Sequence, residues 1–306
     1  MREWLGTLVG AAALLTLVAW VGGLVAGIVA GGMGRVIGWM FLVQLVPLSA
    51  PLWLLPSLAW WAWRRRRPGP WHGAVLALSA LCLLPGLVGF GIVPVAYPFA
   101  SLAGSTPSAE VRLPLDGEVI VGWGGDAIAT NYHAADAAQR WAYDLLVDPA
   151  GHGSTSLEDY GCYGLPVLAP AAGTVTVARD GLPDQAGGTF VPNYAEPAGN
   201  HVALRIGTGT HLVLAHLQPG SVAVAVGDEV EEGQVLGRCG NSGNTSEPHV
   251  HVHHQRQDPA VVGLVAEGLP LWFRDLEGRN GPVMPTGGLE VDGERVRFVG
   301  ERVRAR

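Results

Sequence analysis

GNSGNTSEPHVHVHHQ, residues 240–255, places four histidines within six positions directly after a glycine-rich turn. If the run 249–255 is a strand, side chains alternate, so His249, His251 and His253 share one face and His254 the other. Residues two apart on a strand are roughly 6–7 Å apart, close enough for neighbouring imidazoles to converge on one centre. The outer pair is about 13 Å apart, too far to share an ion whose bonds to nitrogen are near 2 Å. At most two of the three therefore serve one site. A surface strip of histidines would not account for the lead-in GNSGNTSEP, which bends the chain sharply before the first of them.

Working outward from this run, residues 101–306 read as short β-rich stretches bounded by Gly, Pro and Asp. They are 117–123, 140–147, 166–171, 173–178, 200–206, 211–217 and 249–255, with two more strands within 227–240. LEVDGERVRF (289–298) has a hairpin pattern turning at Asp292-Gly293. No long amphipathic helix appears after residue 100. The expected fold is an all-β, antiparallel domain over 117–306, reached through a linker at 97–116 and extended at its C-terminus from about 258. Long loops at 148–163 and 179–199 have the length of functional walls or lids.

The front of the chain is different. Residues 1–100 hold one acidic residue, Glu3, and six arginines, whereas the remainder holds 25 acidic residues and 13 arginines. Residues 4–34 and 36–63 carry no charge apart from the intervening Arg35. Each apolar run reaches the roughly 20 residues a membrane-crossing helix needs. We expect a transmembrane region over 1–96 with three helices at about 5–31, 37–63 and 73–96. Arg64 to Arg67 belong on the cytoplasmic side, with Trp60, Trp61 and Trp63 as an interfacial belt and His72 close by. The β domain is then extracytoplasmic, carried by the cytoplasmic membrane. An acidic domain without a basic cluster argues against nucleic acid as a partner, because phosphate binding needs concentrated Arg or Lys. Cys82 reads as packing in the third span. Cys162 and Cys239 lie in the exported part, where they form either a disulfide or two separately buried thiols.

The stretch GRCGNSGNTSEPHVHVHH (237–254) resembles the glycine-serine turn and His-x-His strand of lysostaphin-type zinc metallopeptidases, which are peptidoglycan endopeptidases. LVLAHLQPGSVAVAVGDEVEEGQVLG resembles that family's second histidine strand and the V-G-x-x-V-x-x-G-Q-x-x-G segment after it. GLPVLAPAAGTVTVARDG and GNHVALRI resemble two further strands, in the family's order. The resemblance covers roughly 117–257. It implies a zinc ion held by Asp144, in AYDLL, and His251, with His249 and His216 as catalytic histidines. Chemically the set is coherent: a hydrolytic zinc site uses three protein ligands and keeps a fourth position for water, whose proton a nearby histidine can take.

The first ligand departs from the family pattern His-x-x-x-Asp, since Arg140 stands four residues before Asp144. A guanidinium has no lone pair to give a metal. His133, eleven residues before Asp144, is the expected substitute, with a short loop at 134–139 folding it back. His152 and His201 compete for the role. Arg140 then needs its own charge partner. His211, five residues before His216, is packing or surface; His253 orients a ligand; His254 is exposed.

Together these readings describe a membrane-anchored zinc metalloendopeptidase that hydrolyses cross-linking peptides of bacterial peptidoglycan. The alternative is a non-hydrolytic module on the same fold that binds cell wall or regulates a partner hydrolase. A membrane sensor or transporter ranks last, because no charged residue lies within the spans to build a pathway.

Overall fold

The structure is a computed structural model that describes residues 14, 15, 17, 18, 20–29, 31–64, 70–263, 265–292 and 295–306. The chain divides into two compact units, Met1–Val95 and Ala96–Arg306.

The first unit is helical. After helical residues at 20–29, the helix Met33–Met40 runs through a π-helical turn, Phe41–Leu45, into the helix Val46–Arg64; Pro70–Gly89 forms another. Proline lacks the N–H a regular helix needs, and Pro47 follows directly on the π turn. The expected three spans find no support here: among the described residues, no helix is long and apolar enough to cross a membrane. Residues 5–13 lie outside the described residues. The stretch 37–63 is interrupted by the π turn and contains Pro47, Pro51 and Pro56. The last helix contains Pro85 and ends at Gly89, where the chain turns, short of residue 96. The side chains of Trp60, Trp61, Trp63, Arg64 and His72, and residues 65–67 entirely, lie outside the described residues.

The second unit is built on one large sheet. Its strands are β2 (Glu118–Trp123), β3 (Tyr143–Leu146), β5 (Gly173–Arg179), β6 (Asn200–Ile206), β7 (His211–Leu217), β8 (Glu229–Val230), β10 (Val250–Gln255), β11 (Gly268–Leu269) and β15 (Arg302–Arg304). They run in the order β15-β2-β3-β10-β7-β6-β5-β8, with β11 also paired to β10, and every pairing is antiparallel. Three two-stranded pieces accompany it: β4 (Pro166–Leu168) with β9 (Val235–Arg238), β13 (Leu289–Asp292) with β14 (Arg295–Phe298), and β1 (Ala109–Val111) with β12 (Leu271–Phe273). The β1–β12 pair is parallel, a correction to the purely antiparallel expectation. Residues 109–115, within the stretch read as a linker, contribute Val111, Leu113 and Leu115 to the core.

Alternation along the strands separates core from site. Val250 and Val252 of β10, Tyr143 and Leu145 of β3, and Leu212 and Leu214 of β7 all enter one hydrophobic core. The residues alternating with them on β10 and β3, His251, His253 and Asp144, therefore stand on the opposite face. His216 has the parity of the core residues Leu212 and Leu214. It takes φ 65°, a left-handed conformation unusual for a residue with a Cβ, and the chain then delivers Leu217 to the core. The kink is held by backbone bonds from His216 N to Ala198 O (3.0 Å) and from Gly240 N to His216 O (3.0 Å).

Cys162 and Cys239 form a disulfide with Cα atoms 5.9 Å apart, closing a sequence separation of 77 residues. A loop of that length constrains the unfolded chain strongly. Replacing both cysteines by serine is expected to lower the unfolding free energy by about 2–5 kcal/mol, read by urea titration of the full chain. An unchanged midpoint would contradict a stabilising role for this bridge.

Candidate metal centre

Three neighbouring strands and one short turn assemble the site. β10 lies between β3 and β7, and the β3–β10 register sets Asp144 directly opposite His251. Asp144 and His251 are 5% exposed each, as is His133. His133 comes from the 3₁₀ turn Tyr132–Ala135, whose start is capped by Asn131: its Oδ1 accepts from the backbone N–H of His133 (3.2 Å). The Asn131 amide also donates to Gly125 O (2.9 Å) and Ala142 O (3.2 Å), tying the turn to the approach of β3. Asp136 Oδ1 then accepts from the N–H groups of Ala138 and Gln139 (2.7 and 3.1 Å), which turns the 134–139 loop back towards β3.

The result is a carboxylate between imidazoles. His133 Nε2 lies 3.0 Å from Asp144 Oδ2, and His251 Nδ1 lies 2.9 Å from Asp144 Oδ1. His249 Nε2 stands 3.6 Å from the same Oδ1. Burial pushes the Asp144 carboxyl up, but the charges of His133 and His249 outweigh it, and Asp144 is held well below the usual carboxylate range. Among the described residues, His133, Asp144 and His251 are the group whose potential ligand atoms all lie within 4.8 Å of one another. Two imidazoles and one ionised carboxylate, buried and free of thiolate, are the donor set that suits zinc, and three protein ligands leave a fourth position. The residues present fit the ion.

The two remaining histidines are locked in one tautomer. His216 Nδ1 lies 2.8 Å from Ser242 O, and His249 Nδ1 lies 2.8 Å from Glu247 O. A carbonyl only accepts, so each Nδ1 carries a proton, and in the neutral ring Nε2 then holds the lone pair. The rings sit beside each other, 4.8 Å between centroids, and His216 is 5.8 Å from His251. Burial, then the neighbouring His249 and His251, push the His216 imidazole well below its ordinary value. Burial acts the same way on His249, but Asp144 more than offsets it and its pKa is raised. The two rings are thus pushed in opposite directions.

Other predicted residues fall elsewhere. Arg140 is buried over the Trp141 ring, where its guanidinium bonds Asp126 O (2.8 Å) and pairs with Asp126 Oδ1 (2.8 Å). It contacts none of the three candidate ligands through any of these bonds. Arg140→Gln is expected to lose about 1–3 kcal/mol of stability, the cost of breaking a charge-assisted bond, with bound zinc unchanged; metal analysis beside a denaturation curve reads both. His152 stacks on Tyr160 and lies 3.2 Å from Asp159 O, and His201 lies 2.8 Å from Gly199 O. His253 bonds His251, with its Nδ1 2.9 Å from His251 Nε2. Burial pulls its pKa down to about 3. The expectation of an exposed His254 is corrected: it is buried, between Thr210 Oγ1 (2.7 Å) and Pro270 O (3.1 Å), because β10 is covered on both faces. His211 is buried too, 3.9 Å from Asp258. Sequence reasoning did not find Thr245, whose hydroxyl bonds Asn241 Oδ1 (2.8 Å) and Glu247 O (2.8 Å) and braces the carbonyl that orients His249.

Residues 158–262 match Peptidase family M23, a zinc-dependent family of metallopeptidases, so the chain contains a lysostaphin-type M23 domain. The matched segment contains His216, His249 and His251 and begins after His133 and Asp144. Among solved structures, the chain is similar to the catalytic domain of the prophage-encoded M23 protein EnpA from Enterococcus faecalis (18% identity, 42% of this chain and 73% of that one, TM-score 0.29). It is also similar to the catalytic domain of the antimicrobial peptidase lysostaphin from Staphylococcus simulans (21% identity, 46% and 87%, TM-score 0.28). A third likeness is to a zinc-containing peptidase from Vibrio cholerae (17% identity, 57% and 39%, TM-score 0.32). No curated protein matches the chain.

Proposed function

We propose that the chain is a zinc metalloendopeptidase in which His133, Asp144 and His251 hold the ion, and that it hydrolyses cross-linking peptides of bacterial peptidoglycan. The observation that carries this reading is the β3–β10 register. It sets Asp144 opposite His251, and His133 then closes on the same carboxylate from a turn outside the matched segment. When bound, zinc supplies Lewis acidity, bringing a water's pKa towards neutrality and polarising a carbonyl.

The remaining work falls to the chain's own groups. His216, neutral with a bare Nε2, can take a proton from water; His249, whose pKa is raised, can when protonated donate from Nε2 to developing charge on a scissile carbonyl or to a leaving amine. Beside the Ser242–Gly243 turn that orients His216, residues 182–186, 189 and 191–195, with Gly243, line a cavity of about 600 Å³. Tyr194 and Phe190 are exposed along the same loop. That surface suits an extended peptide better than a compact small molecule.

The reading places the second unit outside the cytoplasm, where a disulfide such as Cys162–Cys239 persists. Attachment to the cytoplasmic membrane through residues 1–96 belongs to the same proposal, and its support is the uncharged sequence runs 4–34 and 36–63. The Arg140 departure is a change that a non-hydrolytic module would carry. Arg140 is engaged with Asp126 and a histidine stands at Asp144 without it, so no observation favours that reading. The test is release of new amino groups from purified peptidoglycans of several cross-link chemistries by the zinc-loaded full chain. Release that stops with Asp144→Asn supports hydrolysis. No release from any of them ends the proposal.

A further inference from the structure

Behind His251, away from Asp144, a line of buried side chains continues along the same face of β10. Gln255 Nε2 donates to the carbonyl of Gln257 (2.7 Å), which turns the amide so that Oε1 faces His253 Nε2 at 2.9 Å. An amide oxygen only accepts, so His253 Nε2 carries a proton. A neutral imidazole has one proton, and His253 Nδ1 is therefore a lone pair. It lies 2.9 Å from His251 Nε2, which must then be the N–H that donates. This leaves His251 Nδ1 bare. That nitrogen lies 2.9 Å from Asp144 Oδ1, on the side of the candidate metal ligands, where a cation needs its lone pair.

We propose that Gln255 and His253 are positioning residues that hold His251 through Nε2, so that its Nδ1 is the nitrogen presented to a metal ion. The proposal rests on the metal-centre reading above and adds its source of polarity. Gln255 is the origin because its amide is anchored by the backbone and is 1% exposed, out of competition with water. Groups that orient a metal-ligating imidazole through its second nitrogen commonly change affinity about 10–100-fold when removed.

Two measurements on the full-length chain test this. In the zinc-loaded chain, long-range ¹H–¹⁵N spectra of the histidine side chains are expected to show His251 protonated at Nε2. Zinc affinity, read by competition with a chromophoric chelator, is expected to fall about 10–100-fold in His253→Ala. Gln255→Leu removes the anchoring acceptor and is expected to weaken zinc and mix the His251 tautomers. Gln255→Glu keeps an acceptor and is expected to hold both near wild type. His251 protonated at Nδ1 in the wild type, or wild-type zinc affinity in His253→Ala, overturns the relay while leaving the metal centre intact. A wild-type chain that takes no zinc overturns the metal centre and this proposal with it.

Discussion

A chain carrying His133→Ala is expected to lose bound zinc and hydrolytic rate together, from about one ion per chain to near none. Two ligands, Asp144 and His251, would remain, and a hydrolytic zinc site uses three. The substitution also removes the 3.0 Å partner of Asp144 Oδ2, leaving a buried carboxylate with less compensation. The effect should therefore appear in metal content even before activity is assayed. His152→Ala serves as the control: its ring stacks on Tyr160 away from the three ligands, and a surface substitution of that kind changes stability by less than about 0.5 kcal/mol. Zinc analysis of the two variants side by side checks the expectation. Full zinc in His133→Ala, with loss in His152→Ala or His201→Ala, would reassign the first ligand.

His216→Ala is expected to do the opposite: zinc retained, rate reduced about 10²–10⁴-fold, the usual contribution of a positioned proton-transfer group. His216 bonds the Ser242 carbonyl through Nδ1 and is not among the three residues whose ligand atoms cluster. Its left-handed backbone, which the strand keeps at a cost of roughly 1–2 kcal/mol, has the character of strain retained at a working residue. A thermal melt of the variant separates loss of fold from loss of rate. If kcat were unchanged with zinc in place, His249 alone would carry the proton chemistry and the paired-histidine account would fail.

Much of this was legible in the chain. Period-two alternation put His251 and His253 on one face of β10 and His254 on the other, as the strand shows. The stretches 200–206 and 211–217 are strands over those same residues, each a β-rich run between turn residues, and the second is buried along its whole length. What alternation could not reveal is where it breaks. His216 has core parity, and only the kink at φ 65° brings it to the site. Nor could His254 be read as buried, since nothing local says that β11 and Pro270 cover that face. Asn131 left a faint trace in the N-x-H spacing, but its bonds to Gly125 and Ala142 are tertiary. The strands β1, β12 and β15 were missed for the same reason: each is three residues long as a local signal and is defined by a partner far away in sequence. In the first unit, apolar length suggested spans, whereas a π turn breaks the regular α-helix within 37–63 and three prolines lie inside Val46–Arg64.

The most direct test of the central claim is anomalous diffraction at the zinc edge from crystals of the full chain grown with the metal. The account predicts one strong peak at about 2.0–2.2 Å from an imidazole nitrogen of His133, an oxygen of Asp144 and Nδ1 of His251. A peak held by His152 or His201, or no peak beside Asp144, would contradict it.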